Sequence, residues 1–385
     1  RLVGLVEDAV RLRFRSDVPV ALLQSGGLDS SIICRIVDDS IEGGQLASPS
    51  ITAYTAIFPG FEWDESETVR DLISSCHHVQ LKEITTAATN LPDQLPDFVR
   101  GMGEPLFNTT AFMHYLIMQA IRKDGAKVVI NGQGADEAFA GYGHLIAGYR
   151  LLDVLLSRPW QALSQARALR NSLPCGFGYL LAQTGKAALG RRRASQMRAT
   201  WKEHTFDVLP PAFRRQHDLR LPDNQARFSH HNLDQHLRRQ IEFYGFSQIM
   251  HYEDQSSMLN SVEIRSPFID HRVMEFAFGL PDRLKFDQGI TKRILRESFA
   301  SRLPHRVLAQ PKIGFNTPFN QWLQEPSFKA WIVDLARSAS FRQRGIWSAD
   351  KLQQRFERPE AHPGFPFWRF INLELWARAY GISNL

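Results

Sequence analysis

The chain has 385 residues, 43% hydrophobic and 22% charged, an ordinary composition for a globular protein of one large domain or two smaller ones. Its formal charge of +6 permits a phosphate-bearing ligand but falls short of the concentrated basic face that nucleic acid requires. No run of about 18 uncharged apolar residues is available to span a membrane, and the N-terminal RLVGLVEDAVRLRFRSD lacks the apolar core and cleavage site of a signal peptide.

The first segment, Arg1 to Asp17, carries Leu2, Leu5, Val6, Ala9, Val10 and Leu12 at helical spacing and predicts an amphipathic helix. Val18 to Gln24 is a short apolar run, predicting a buried parallel strand, and Ser25 to Asp29 then turns into a helix whose inner face is Ile32, Ile33, Ile36 and Val37. A strand at Ile51 to Phe58, a helix around Glu65 to Ser75 and a strand near His78 to Lys82 follow. Next come a helix from Phe112 to Arg122, capped by Gly125, and a strand at Lys127 to Asn131. Strands alternating with helices predict an α/β fold, a doubly wound parallel sheet with right-handed crossovers whose ligands bind at the carboxyl ends of the strands.

Beyond Gly143 strand signals thin out, and Pro159, Pro174, Pro210, Pro211 and Pro222 break a Leu-, Arg- and Gln-rich stretch into helices. We therefore divide the chain into an α/β core at 1–143, a helical insertion at 144–250 and a helical C-terminal part at 251–385. The basic run Gly190-Arg191-Arg192-Arg193 reads as a solvated loop or helix end rather than a polyanion contact. Cys34, Cys76 and Cys175 are odd in number and form no CxxC pair, which argues against a disulfide framework or zinc knuckle and for a reducing cytoplasm. Arg1 is not an initiator methionine, so the expectation is a longer protein cut or processed just ahead of it.

Two glycine turns carry the chemistry. In Ser25-Gly26-Gly27-Leu28-Asp29-Ser30-Ser31, the glycines let the backbone approach a ligand. Ser30 and Ser31 then sit at a helix N-terminus, where free donors and the positive dipole end favour phosphate. Asp29 is an acid in an anion site, a repulsive placement unless a divalent cation bridges it to phosphate oxygens. The heptapeptide has a chance on the order of 10⁻⁸ per position at average composition. Asn131-Gly132-Gln133-Gly134-Ala135-Asp136-Glu137, followed by Gly141-Tyr142, is a second turn with two adjacent acids, and Asp136 is placed to complete a metal site with Asp29. Gly185-Lys186 has no upstream glycine at P-loop spacing and is incidental.

The first turn resembles the pyrophosphate-binding loop (PP-loop) of the N-type ATP pyrophosphatases, which cleave ATP to AMP and pyrophosphate. Three further segments resemble the asparagine synthetase C-terminal domain in order and spacing: Ser261 to Arg272, Thr291 to Arg296, and Pro311 to Phe315. So do Glu104-Pro105 and the closing Asn372-Leu373-Glu374-Leu375-Trp376, and the likeness spans nearly the whole chain, weakest at 144–250. The resemblance implies that Ser25, Gly26, Gly27, Asp29 and Ser30 hold the pyrophosphate of ATP and that Asp29 and Asp136 hold Mg²⁺. It implies that Leu23, Ile57 and Gly132 contact the adenine and that Lys292 stabilises charge as an acyl-adenylate forms and breaks down. Lys312 lies in a loop the family places near the site, and Glu263 reads as a buried partner for Arg265 rather than a catalytic carboxylate.

Two departures limit the carry-over. Asparagine synthetases carry Glu where this chain has Gln133, and β-lactam-forming relatives carry Tyr; Gln cannot be a general base, although it can orient a partner by hydrogen bonding. The glutaminase domain that supplies ammonia in the family is not among these residues and is expected in a longer protein. The expectation is therefore an ATP-dependent ligase that activates a small-molecule or peptide carboxylate and joins it to ammonia, with no nucleic-acid or membrane partner and with a homodimer allowed. An internal-amine cyclase, of the β-lactam synthetase or lasso-peptide cyclase kind, is the alternative. A tRNA-thiolating enzyme would need paired cysteines, and a silent scaffold would have lost Asp29, Asp136 or Lys292.

Overall fold

A computed structural model describes residues 1–172, 176–189, 207–211, 213, 233–242, 245–312 and 314–383. Cys175, the Gly190–Arg193 run, Pro174, Pro222 and Ile313 lie outside the described residues. The chain forms two compact units: Arg1–Ile84 with Ile117–Ala194 and Ala226–Gly314, and Thr85–Leu116 with Ser195–Gln225 and Phe315–Leu385.

In chain order the first elements are α1 (Leu2–Arg13), β1 (Val20–Leu23), α2 (Leu28–Glu42), β2 (Ile51–Ala56), α3 (Ser66–Ser74) and β3 (Val79–Ile84). They are followed by α4 (Leu91–Met102), α5 (Thr110–Lys123), β4 (Val128–Ile130), α6 (Ala135–Phe139), α7 (Gly143–Ser157), α8 (Ala162–Ser172) and α9 (Phe177–Leu189). Then come α10 (Leu233–Glu242), α11 (Phe246–Met258), β5 (Glu263–Arg265), α12 (His271–Phe278), β6 (Phe286–Asp287), β7 (Ile290–Thr291), α13 (Arg293–Ser298) and α14 (His305–Ala309).

β1 to β5 make one parallel sheet in the order β3-β2-β1-β4-β5. The chain builds outward from β1 to β3, then returns to the other side of β1 with β4 and β5, which places a topological switch point between β1 and β4. Leu22, Ala53 and Ile130 stand in register on one face and pack with Ile32, Ile33 and Ile36 of α2 and Val6 and Val10 of α1. Ala21, Tyr54 and Val129 lie on the other face, against Ile117, Met118 and Ile121 of α5. Because both faces are covered there, the central strands β1 and β4 are apolar throughout, whereas the outer strands β3 and β5 carry charged residues. This is the α/β, doubly wound parallel sheet of the PP-loop type that the sequence predicted, accompanied by many helices.

The strand at Glu263–Arg265 was not foreseen, since three residues with two charges carry no strand pattern; it pairs along β4 at the sheet edge. There Glu263 makes an exposed ion pair with Arg265 at 2.8 Å, so it is not the buried partner expected. Arg265 instead donates to the carbonyls of Arg13 and Arg15, and Asp270 caps α12 and pairs with Arg13 at 2.6 Å, so this motif seats the end of α1. The predicted all-helical C-terminal part also contains a hairpin, β6–β7, whose two turn residues Gln288 and Gly289 have φ of 49° and 81°, the positive values a tight hairpin turn demands. The sulfurs of Cys34 and Cys76 lie 4.0 Å apart as free thiols, a proximity that 42 residues of separation conceal.

In the second unit α4 packs with the helix Phe367–Ala379. Asn372 accepts from the Leu106 amide at 2.5 Å, and fully buried Glu374 pairs with Arg344 at 2.8 Å and Arg378 at 2.7 Å. The closing motif of the sequence is therefore a packing and ion-pair element of this unit.

Candidate active site

The first turn leaves β1 and enters α2 with Gly27 as the helix N-cap. Ser30 Oγ folds back to donate to the Ser25 carbonyl at 2.8 Å and accepts from the Ser25 amide at 3.2 Å, while the Ser25 hydroxyl accepts from the Gly27 amide at 3.2 Å. Ser25 and Ser30 thus close the loop on itself. The Gly26 amide donates to Glu65 Oε2 at 3.3 Å, and Glu65 Oε1 accepts from Gln310 at 2.8 Å. A Cβ on Gly26 would lie 2.7 Å from Glu65 Cβ, so this close approach needs glycine. Burial raises the Glu65 carboxyl to about 7 against the pull of Lys312.

The second turn leaves β4, the strand beside β1, and enters α6. A Cβ on Gly132 would lie 3.0 Å from both Asp29 Cβ and the Ser30 amide nitrogen, so the two turns touch at this glycine. Gly134 has φ of 94° and faces Ile269, which fixes it as glycine twice over.

Asp29 from the first turn and Asp136 from the second converge on one ammonium. Lys292 is 3% exposed, contacts Asp29 Oδ2 and lies 2.5 Å from Asp136 Oδ1; Lys312 reaches Asp136 Oδ2 at 2.7 Å. The β6–β7 hairpin delivers Lys292 to α13 in a left-handed conformation, φ 51° and ψ 36°. Ala140, at the end of α6, is likewise left-handed with φ of 62°. Such strain at non-glycine residues concentrates where a site over-determines its backbone. Arg296 donates to the Thr291 and Gln310 carbonyls, tying the start of α13 to the segment that carries Lys312.

Burial pushes both aspartate carboxyls up. At Asp29 it prevails over Lys292, whereas at Asp136 the ammoniums of Lys292 and Lys312 outweigh it and hold the carboxyl well below the usual range. Among the described residues, buried Asp29 Oδ1 has no hydrogen-bond partner. Two oxygen donors of this kind suit a hard cation that keeps water and phosphate oxygens in its remaining positions, so the pair fits Mg²⁺. Among the described residues no cluster of three or more His, Cys, Asp or Glu side chains could hold a metal.

Behind this centre, Glu137 accepts from the Tyr142 hydroxyl at 3.0 Å, and burial followed by Asp136 raises it to about 7. Between pH 4.5 and 7 the unfolded carboxyl loses its proton while the native one keeps it, so stability falls as pH rises through that window. Glu137→Gln, which removes the charge, is expected to raise stability in urea denaturation by up to about 3 kcal/mol at pH 8 and by little at pH 4.5.

Of the residues predicted from sequence, Ser25, Gly26, Gly27, Asp29, Ser30, Gly132, Asp136 and Lys292 meet at the switch point, and Gln133 follows Gly132 on the same turn. Leu23 and Ile57 lie at the carboxyl ends of the adjacent strands β1 and β2. Glu137 and Gly141 stood in the second motif without an assigned role, and two residues were missed: Glu65 and Glu253, which carried no signal because each reaches the site through the fold.

A parallel sheet with a glycine turn and converging acids at its switch point defines an α/β domain of the PP-loop kind. The chain belongs to the asparagine synthase family, whose model matches residues 1–378. It is 29% identical over 86% of its length to a Mycobacterium tuberculosis protein provisionally named as a glutamine-hydrolyzing asparagine synthetase, and covers 50% of that protein. It is 25% identical over 87% of its length to asparagine synthetase (glutamine-hydrolyzing) 1 of Bacillus subtilis, covering 52%. It is also similar, at 27% identity over 92% of its length, to amidase chry2 of Gibberella zeae, covering 58%. The chain therefore spans about half the length of the curated relatives it matches. No described helix is long and apolar enough to cross a membrane.

Proposed function

We propose that this chain is the synthetase part of an asparagine-synthetase-like ligase that adenylates a small-molecule or peptide carboxylate with ATP, releases pyrophosphate and forms an amide. The observation that carries the reading is the convergence of Asp29 and Asp136, from two strand-to-helix turns, on the buried ammonium of Lys292. The Ser25–Ser31 turn presents backbone donors and the positive end of α2 to the phosphate tail of ATP. Leu23, Ile57 and Gly132 border the place for the adenine. Asp29 and Asp136 would hold Mg²⁺, which supplies charge neutralisation on the phosphates.

Lys292 and Lys312 add fixed positive charge where the substrate carboxylate meets the α-phosphorus and pyrophosphate departs, which lowers the cost of the charge that develops there. Amide formation then needs an amine, and Gln133 on the second turn would receive it. In a longer protein that amine would be ammonia from a glutaminase domain. A reducing cytoplasmic setting, consistent with the free thiols of Cys34 and Cys76, belongs to the same reading. Residues 144–250 are read as a helical insertion carried between the adjacent strands β4 and β5, separating the 1–143 core from 251–385.

The test is pyrophosphate release from MgATP, with ammonium chloride and a panel of amino and peptide acids. One acid is expected to stimulate release and to appear as its amide. Asp136→Asn is expected to reduce that release about 10²-fold or more, because it weakens the cation site and both lysine contacts at once. Release that no acid stimulates, or that Asp136→Asn leaves unchanged, would overturn the reading.

A further inference from the structure

Glu253 on α11 sends its carboxyl, 9% exposed, to the second turn, where it accepts from Gln133 Nε2 at 2.6 Å and Asn131 Nδ2 at 2.8 Å. Among the described residues it has no cationic partner; the charged group that acts on it is Glu137 of α6. A buried carboxylate held only by two amides is costly and weakly justified as a stabilising element. The direction of those amides is fixed by chemistry. Asn131 Oδ1 accepts from the Ser266 hydroxyl at 2.5 Å and the Gln133 amide at 3.3 Å, which leaves its NH₂ to face Glu253. An ionised Glu253 can only accept, so it draws the Gln133 NH₂ toward itself and turns the carbonyl Oε1 away. That oxygen has no hydrogen bond among the described residues, and Gln133 is only half-buried, one residue beyond the glycine that touches Asp29.

We propose that Glu253 is a positioning residue of the amide-forming step, orienting the Gln133 side chain so that Oε1 accepts an N–H of the attacking amine. The inference rests on the functional reading above and adds to it the residue that governs nitrogen capture. Gln133 has no proton to exchange, so its contribution is alignment of the amine's lone pair toward the acyl carbon, and alignment is only as good as the grip on the amide. Burial, with Glu137 adding to it, raises the Glu253 carboxyl to about 7 against its two amide donors. Below that pH a neutral Glu253 carries its own O–H donor, which competes for Gln133 Oε1 and turns the amide over. Capture of the amine is therefore expected to strengthen as pH rises through about 7, well below the range in which ammonium itself loses its proton.

Two measurements test this. With ¹⁵N-glutamine labelling, the Gln133 side-chain NH₂ signal, identified by its loss in Gln133→Ala, is expected to titrate near pH 7 and to stop doing so in Glu253→Gln. With ammonium chloride as the amine and the acid that stimulates release, the ratio of amide formed to pyrophosphate released is expected to fall about tenfold or more in Glu253→Gln and to lose its rise through pH 7. Glu253→Asp, which keeps the charge, is expected to recover part of that ratio. A wild-type coupling ratio and pH profile in Glu253→Gln, or a Gln133 signal blind to Glu253, overturns the inference alone. Absence of any acid-stimulated release in the wild-type protein overturns the functional reading and this inference with it.

Discussion

Lys292→Ala is expected to lower acid-stimulated pyrophosphate release about 10²- to 10³-fold and to destabilise the fold by about 3–5 kcal/mol at pH 8. Both effects come from one geometry. The ammonium is almost wholly buried between two carboxylates that are themselves buried, and among the described residues Asp29 has no other ion pair. Removing it leaves Asp29 as an uncompensated interior charge, while Asp136 keeps Lys312 at 2.7 Å. The stability loss should shrink as pH falls, because an acid whose native pKa has been raised binds its proton preferentially in the folded state. Urea denaturation at pH 8 and pH 5 measures that slope. Pairing Lys292→Ala with Asp29→Asn separates the two effects: removing the orphaned charge is expected to restore most of the stability and none of the release. If Lys292→Ala lowered stability but left release intact, the lysine would be a structural counter-ion and nothing more.

The centre of the sheet was legible from residues because β1, β2 and β4 are short, largely apolar runs between helices, and a parallel strand buried on both faces has no reason to look otherwise. The two turns were legible because glycines, hydroxyls and acids occur there in an order that composition does not produce. What the sequence hid is whatever depends on distance along the chain. Lys292 reaches Asp29 across 263 residues, through a hairpin whose turn is Gln288-Gly289 and not the Asn-Gly that would have announced it. Glu65 looks like an ordinary acid at the start of α3, yet its side chain turns to the Gly26 amide. Glu253 is one of several polar residues on α11, and only packing of that helix under the second turn sets it against Gln133. Apolar periodicity reports the core of a fold; a polar side chain that crosses between elements leaves no period to read.

Gly141→Ala is the second large effect expected, and it arises from space alone. The α6 helix ends at Ala140 in a left-handed conformation, and the Gly141 amide then donates to the Asp136 carbonyl at 2.8 Å. That reversal brings the Gly141 Cα against the Asp136 carboxylate and the Lys292 chain, and a Cβ there would overlap both. Neither neighbour can give way cheaply, since each is buried and held by the other. Release is expected to fall about 10²-fold, as for any displacement of charged groups by a fraction of an ångström to an ångström, with a stability cost of about 1–3 kcal/mol. The adjacent change gives the contrast. Ala140→Gly relieves a φ of 62° without adding an atom, so it is expected to hold or raise stability by up to about 1 kcal/mol and to leave release within a few-fold of wild type. Opposite outcomes at neighbouring positions would attribute the loss to crowding of the Asp136–Lys292 pair; equal losses at both would attribute it to the turn itself and remove Gly141 from the site.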